Sequence, residues 1–286
     1  MSASERSIAE PFRGKVIWIT GASSGIGEAL CGEFARGGAR LVLSARNESE
    51  LKRVRDNCVA AGSRAEDLLV LPLDVVDFAA MPGAVTQVEE AFSGIDMLIN
   101  NAGMSQRSFC VDTELDVYRT LLEVNVLGQI ALTKAVLPVM MAQGSGHIAV
   151  TASVAGKVGA PMRTGYCAAK HAVMGFFDSL RTEVAYLVIQ VSTIVPGFIR
   201  TNIARNALTA TGEATDMEEA DIEGGMDANE CARVVIQGLA EGVKEIAVGE
   251  GPEMALLDLK RNDPEQTFSL LEGAAAEARA GRGFSQ

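Results

Sequence analysis

Seven short apolar runs rich in β-branched residues recur along the chain: KVIWIT (15–20), RLVLSA (40–45), LLVLPLD (68–74), DMLIN (96–100), HIAVTAS (147–153), QVSTIVP (190–196) and KEIAVG (244–249). Most show little polar alternation, as strands buried on both faces of a parallel sheet do. Between them lie segments of helical length and period, such as IGEALCGEFARGG and ESELKRVRDNCVAAG. Strand and helix in alternation predict an α/β fold, a doubly wound, seven-stranded, mostly parallel sheet with helices on both faces. No linker rich in Pro, Gly or Ser divides the 286 residues and no repeat is found, so a single domain over 1–286 is expected, with its core at 14–250. A polar, acidic stretch at 198–228 interrupts the rhythm after the sixth strand. It suits either a lid or a disordered loop. The tail at 251–286 begins amphipathic (MALLDLKR) and suits either a docked helix or a frayed terminus.

Composition narrows the partners. With 48% hydrophobic residues a full core can be buried. A formal net charge of −12 argues against nucleic acid or an anionic membrane surface, both of which attract clustered cations. The five cysteines (Cys31, Cys58, Cys110, Cys167 and Cys231) include no C-x-x-C pair, which points to a reducing compartment and a cytoplasmic location. The opening MSASERSIAEPFRGK has no apolar run, so no signal peptide or anchor is expected. No other stretch is expected to reach the roughly 20 apolar residues of a membrane-spanning helix.

TGASSGIG (20–27) follows the first strand and runs into a helix, where backbone N–H groups and the helix dipole can meet a pyrophosphate. Gly21 permits a sharp turn, Gly25 removes a side chain from the phosphates, and Gly27 lets the helix pack close to the sheet. Ser23 and Ser24 offer hydroxyls, and Ile26 completes the candidate cradle. The spacing G-x-x-x-G-x-G departs from the common G-x-G-x-x-G fingerprint, so alone the loop reads equally as a tight turn. The second strand ends LVLSAR, with Ala45 where a ribose-binding acid is expected and Arg46 directly after it. A guanidinium can fork onto a 2′-phosphate, which favours NADP(H) over NAD(H), although a solvated loop arginine has the same sequence.

Further along come NNAG (100–103), Asn125 in EVNVLG, Ser153 in VTASVAG, and YCAAK (166–170). With these motifs in this order, the chain resembles the short-chain dehydrogenase/reductase family in its single-domain, Rossmann-like form, over about residues 14 to 250. That family's T-G-x-x-x-G-x-G motif matches residues 20–27. The stretches GKVIWITGASSGIGEAL and RLVLSARN look most like its carbonyl- and steroid-type reductases.

Tyr166 and Lys170, at i and i+4, share one helix face. A neighbouring ammonium is expected to lower the tyrosine's pKa so that its proton can move near pH 7. Ser153 lies at the C-terminal end of a strand, where its hydroxyl can bond a substrate oxygen. The resemblance implies a catalytic set of Asn125, Ser153, Tyr166 and Lys170, with Lys170 also on the nicotinamide ribose and Asn125 holding a relay water. Read alone, Asn125 is equally a helix-kink or capping residue. The resemblance further implies that Asp74 and Val75 contact the adenine, that Asn101, Ala102 and Gly103 line the adenosine ribose, and that Asn100 braces the sheet. Pro196, Gly197, Ile199 and Thr201 would hold the nicotinamide amide.

The expected reaction is hydride transfer between NADP(H) and a ketone, aldehyde or secondary alcohol, with Tyr166 as general acid/base. No metal is expected, since His147 and His171 have no acidic or cysteine partner at ligand spacing. Met104, Met162, Phe198 and Ile199 suit either an apolar substrate wall or core. The few cations in 198–228 favour a neutral substrate. Family members pair through the helix at 166–187 and the one at about 113–142, so a homodimer or homotetramer is expected. Two rival readings remain: a nucleotide-sensing protein of this fold without chemistry, and a sugar-nucleotide epimerase. The intact catalytic set counts against the first, and the short chain after Gly197 against the second.

Overall fold

All seven apolar runs become neighbouring strands. The computed structural model describes residues 8–281; the first seven and last five residues of the expected 1–286 domain lie outside the described residues. The strands are β1 (Val16–Thr20), β2 (Arg40–Ser44), β3 (Leu68–Val70), β4 (Met97–Asn100), β5 (Gly146–Thr151), β6 (Ile189–Pro196) and β7 (Glu245–Val248). They form one sheet in the order β3-β2-β1-β4-β5-β6-β7, and every pairing is parallel rather than most of them. β3 is shorter than its apolar run, ending at Val70 two residues before Pro72. The chain nonetheless continues alongside β2, with Leu71 N–H on Leu43 O and Leu73 N–H on Ala45 O at 3.0 and 3.1 Å.

Alternate strand residues face opposite layers. Ile17, Ile19, Leu41, Leu43 and Ile99 pack with α1 (Gly25–Arg36), α2 (Glu48–Ala60) and α8 (Ala228–Ala240). Val16, Trp18, Val42, Leu98 and Ile148 pack with α3 (Met81–Phe92), α5 (Gly128–Gln143) and α6 (Thr164–Val184). The order turns back between β1 and β4, and a cleft opens there along the C-terminal strand ends, as it does in open α/β sheets.

α4 (Leu115–Leu122) runs through a single π turn (Glu123–Leu127) into α5. This 29-residue helical run, Leu115–Gln143, is long and apolar enough to cross a membrane by length and composition, which corrects the expectation that no stretch is. In the fold its inner face, including Val117, Leu121, Leu132 and Val136, is buried.

The acidic stretch after β6 is irregular apart from the short α7 (Ala220–Glu223). It returns to the loop after β4 through a bridge of Leu208 with Gln106, and closes on itself through one of Ile199 with Met226. The C-terminal tail is two helices, α9 (Pro252–Asn262) and α10 (Pro264–Ala280). Met254, Leu256, Leu257 and Leu271 pack on the α3/α5/α6 layer, while Arg279 ion-pairs with Asp112 at 3.0 Å. The described part of the tail therefore docks.

Candidate active site

Covalent geometry shapes the glycine loop. Gly21 and Gly25 have φ of +65° and +57°, which residues with a Cβ rarely adopt. A Cβ at Gly27 would overlap the Gly21 carbonyl oxygen, so only glycine lets α1 start so close beneath β1. Ser24 occupies the N-cap position of α1 without making a side-chain cap, which leaves its hydroxyl at the head of the helix. Two residues that the motif reading did not single out hold the loop. Thr20 Oγ1 accepts the N–H groups of Asn101 and Ala102, each at 3.0 Å. Asn101 Nδ2 donates back to Thr20 O at 3.1 Å. From outside, Arg53 ion-pairs with Glu28 at 2.7 Å and donates to Ser23 O at 3.2 Å.

The remaining nucleotide candidates line the same strand ends. Arg46 is exposed just before the Asn47 cap of α2, Asp74 is half-buried and accepts from Val76 N–H at 3.1 Å, and Val75 is buried. Asn100 donates to Thr133 Oγ1 at 2.9 Å and so ties β4 to α5. Thr201 is half-buried with its methyl against the glycine loop, 3.0 Å from where a Gly25 Cβ would lie.

Asn125 sits inside the π turn. Its Nδ2 donates to Leu121 O and Met104 O, both at 3.0 Å, and its Oδ1 accepts from Met104 N–H at 3.2 Å. A side chain inserted into the helix ladder accounts for the extra residue in that turn. It also brings Asn125 beside Lys170: a Cβ on Gly103 would lie 2.7 Å from Asn125 Oδ1 and 3.5 Å from Lys170 Nζ.

Ser153, two residues past β5, accepts from Ala155 N–H at 3.1 Å and donates to Pro196 O at 3.4 Å. Tyr166 and Lys170 are both buried on α6. Lys170 Nζ donates to Thr151 O at 2.7 Å and lies 5.7 Å from the Tyr166 ring centre. Burial pushes the Lys170 ammonium down to about 8. Burial also raises the Tyr166 hydroxyl above its usual range, opposed by its hydrogen bond with Ser153 and by the charge of Arg163. The expected lowering of the tyrosine by Lys170 is not seen: burial of the hydroxyl is the largest influence and raises it.

On the substrate side, Met162 and Ile199 are core residues rather than exposed wall, whereas Met104 and Phe198 are half-buried. Sequence reasoning missed Glu219, a buried carboxylate in the acidic stretch. It pairs with Arg163 and, at 2.6 Å, with Arg107.

A sequence model described as short chain dehydrogenase matches residues 15–212. The chain belongs to the short-chain dehydrogenase family. It is 46% identical over 239 residues to human dehydrogenase/reductase SDR family member 7, covering 83% of this chain and 70% of the relative. It is 41% identical over 278 residues to a Drosophila melanogaster SDR family protein 7-like, covering 96% and 85%. A short-chain dehydrogenase/reductase from Burkholderia phymatum, solved in complex with NAD, superposes with a TM-score of 0.79 at 28% identity over 90% of this chain and 96% of that one. This short-chain dehydrogenase is accordingly an NAD(P)-dependent oxidoreductase acting on CH–OH and C=O groups. The cradle fits such a nucleotide: Gly21 and Gly25 make the left-handed turn that leads into the head of α1, and an uncapped hydroxyl stands there.

Proposed function

We propose that this enzyme uses NADP(H) to interconvert a neutral ketone or aldehyde and its alcohol, with Tyr166 as the general acid/base. The observation that carries this reading is the convergence of Ser153, Tyr166, Lys170 and Asn125 at the C-terminal strand ends, beside a glycine loop clasped by Asn101. Gly21, Ser23, Ser24, Gly25, Ile26 and Gly27 would cradle the pyrophosphate, with Asp74, Val75, Asn101, Ala102 and Gly103 along the adenosine. Lys170 and Pro196, Gly197, Ile199 and Thr201 would hold the nicotinamide end. Arg46, exposed and with no acid at position 45, supplies a cation for a 2′-phosphate.

The nicotinamide supplies hydride when bound. Ser153 holds the substrate oxygen beside the Tyr166 hydroxyl, which gives or takes the proton there. A buried hydroxyl with a raised pKa keeps its proton at neutral pH, which suits an acid in the reducing direction. Arg163 is close enough to act on the Tyr166 hydroxyl, and Glu219 pairs with both Arg163 and Arg107. This favours a neutral substrate. The exposed apolar residues Leu115, Leu122, Leu127 and Met141 on the α4–α5 run support pairing into a homodimer or homotetramer. Buried, unpaired Cys31, Cys58, Cys167 and Cys231 suit a reducing, cytoplasmic setting.

The test follows absorbance at 340 nm with NADPH and with NADH over a panel of ketones and aldehydes. Turnover with NADPH is expected, and Tyr166→Phe should lower kcat by about 10²- to 10⁴-fold while leaving NADPH affinity unchanged. Full activity in Tyr166→Phe would overturn the acid/base assignment, and turnover with NADH alone would overturn the Arg46 argument.

A further inference from the structure

Beyond the residues matched by the family model lies a buried carboxylate with an unusual seat. Glu253 is the second residue of α9, after Pro252, and only 7% exposed. A glutamate in a first turn ordinarily gains from the helix dipole while staying in water. Here the side chain is packed inward instead. One carboxylate oxygen, Oε1, accepts the backbone N–H of Phe198 at 2.8 Å. The other, Oε2, is buried without a hydrogen-bond partner among the described residues.

The seat is cut to the shape of the carboxylate. A Cβ on Gly197 would overlap Oε1, and a Cβ on Gly251 would overlap Oε2, so the two glycines form a notch on either side. Gly197 N–H donates to Val248 O at 2.8 Å, so the turn after β6 is held from one side by the end of β7 and from the other by α9. A buried carboxylate that leaves one oxygen unpaired costs free energy, and the contact with Phe198 is what it gains in return.

We propose that Glu253 is a positioning residue for the nicotinamide end of the cofactor: wedged between Gly197 and Gly251, its carboxylate fixes the Phe198 N–H and with it the segment 196–201. This rests on the reading of that segment as the nicotinamide-binding turn. The C-terminal helices are then part of the cofactor site, reaching it through one side chain.

The test compares the full-length protein with Glu253→Ala and Glu253→Gln. The glutamine keeps an acceptor for Phe198. Amide exchange of the segment 196–203 is followed by mass spectrometry in the absence of cofactor. Calorimetry then compares a whole dinucleotide with its adenosine-end fragment: NADPH against 2′,5′-ADP or NADH against ADP, whichever pair the wild type binds. Exchange at Phe198 in Glu253→Ala should be at least about tenfold faster, and affinity for the whole dinucleotide about tenfold weaker, the effect of one lost charge-assisted hydrogen bond. The fragment should bind unchanged, and Glu253→Gln should restore most of both losses.

Wild-type exchange in Glu253→Ala overturns the proposal. So does faster exchange with unchanged dinucleotide affinity, or a fragment weakened as much as the dinucleotide, since these mark a merely structural glutamate. A wild type that binds neither dinucleotide nor fragment overturns the nucleotide reading itself, and the exchange result then stands as a separate measure of the Phe198 contact.

Discussion

The two walls of the cleft are built from different materials. Around β1 and β4 the polar groups that shape it are neutral: Thr20 and Asn101 each bond the other's backbone, Ser44 accepts from Trp18 Nε1, and Asn100 donates to Thr133 Oγ1. Around the C-terminal ends of β5 and β6 several of the buried polar groups are ionisable: Tyr166, Lys170, Glu219 and Glu253. A wall of glycines and amides has its shape set by covalent geometry and tolerates no added atom. A wall of buried acids and bases is fastened by charge and proton balance, so it can be loosened by pH or by a single isosteric change.

Acid should give the largest effect, at the N-terminal start of β5, the edge of the sheet opposite the cleft. His147 Nε2 faces Ser192 Oγ at 2.9 Å, and Ser192 in turn donates to Val243 O at 2.8 Å, so the neutral histidine is the donor to Ser192. Burial depresses its pKa from 6.5 to about 4. Below pH 6.5 the unfolded chain takes up a proton that the folded chain refuses until about pH 4, so stability is lost as pH falls through that window and is flat above it. The loss is on the order of 3 kcal/mol by pH 4. Urea unfolding of wild type and His147→Gln at several pH values should show this extra slope in the wild type alone.

Next comes Gly27→Ala, which places a methyl on the Gly21 carbonyl. About 2 kcal/mol of destabilisation and loss of nucleotide binding are expected, independent of pH, by denaturation and calorimetry. Glu219→Gln should cost about 1 kcal/mol, because both arginines keep partial access to water. It should also shift kcat/KM from neutral ketones towards keto acids, and an unchanged ratio would show that the freed cations do not face substrate. The smallest effect is Gly273→Ala in α10, where an added methyl meets nothing within 4 Å. The same substitution that breaks the cradle should here stabilise by about 0.5 kcal/mol.

The neutral wall was readable in the chain because its parts are local or repeat a spaced motif: the glycine loop follows its strand, and NNAG closes the fourth apolar run. The ionisable wall was mostly not. Glu219 and Glu253 meet their partners Arg163 and Phe198 across 56 and 55 residues, and each lies where a glutamate reads as a solvated surface group. The π turn was hidden for another reason, since one extra residue in a helix leaves the apolar spacing nearly intact while the Asn125 side chain takes over a ladder position. The tyrosine's proton affinity went the other way from expectation because spacing shows which side chains share a face but not how deeply the hydroxyl is buried.

The place of Glu253 in the chain also sets an order of assembly. In a polypeptide made from its N-terminus, Thr20, Arg53, Asn101 and Ala102 are available before β5 exists. The turn after β6 must wait for α9 to emerge before its Phe198 N–H is fastened. The parts of the cleft thus become available one wall at a time during synthesis, and the fastening of Phe198 comes last.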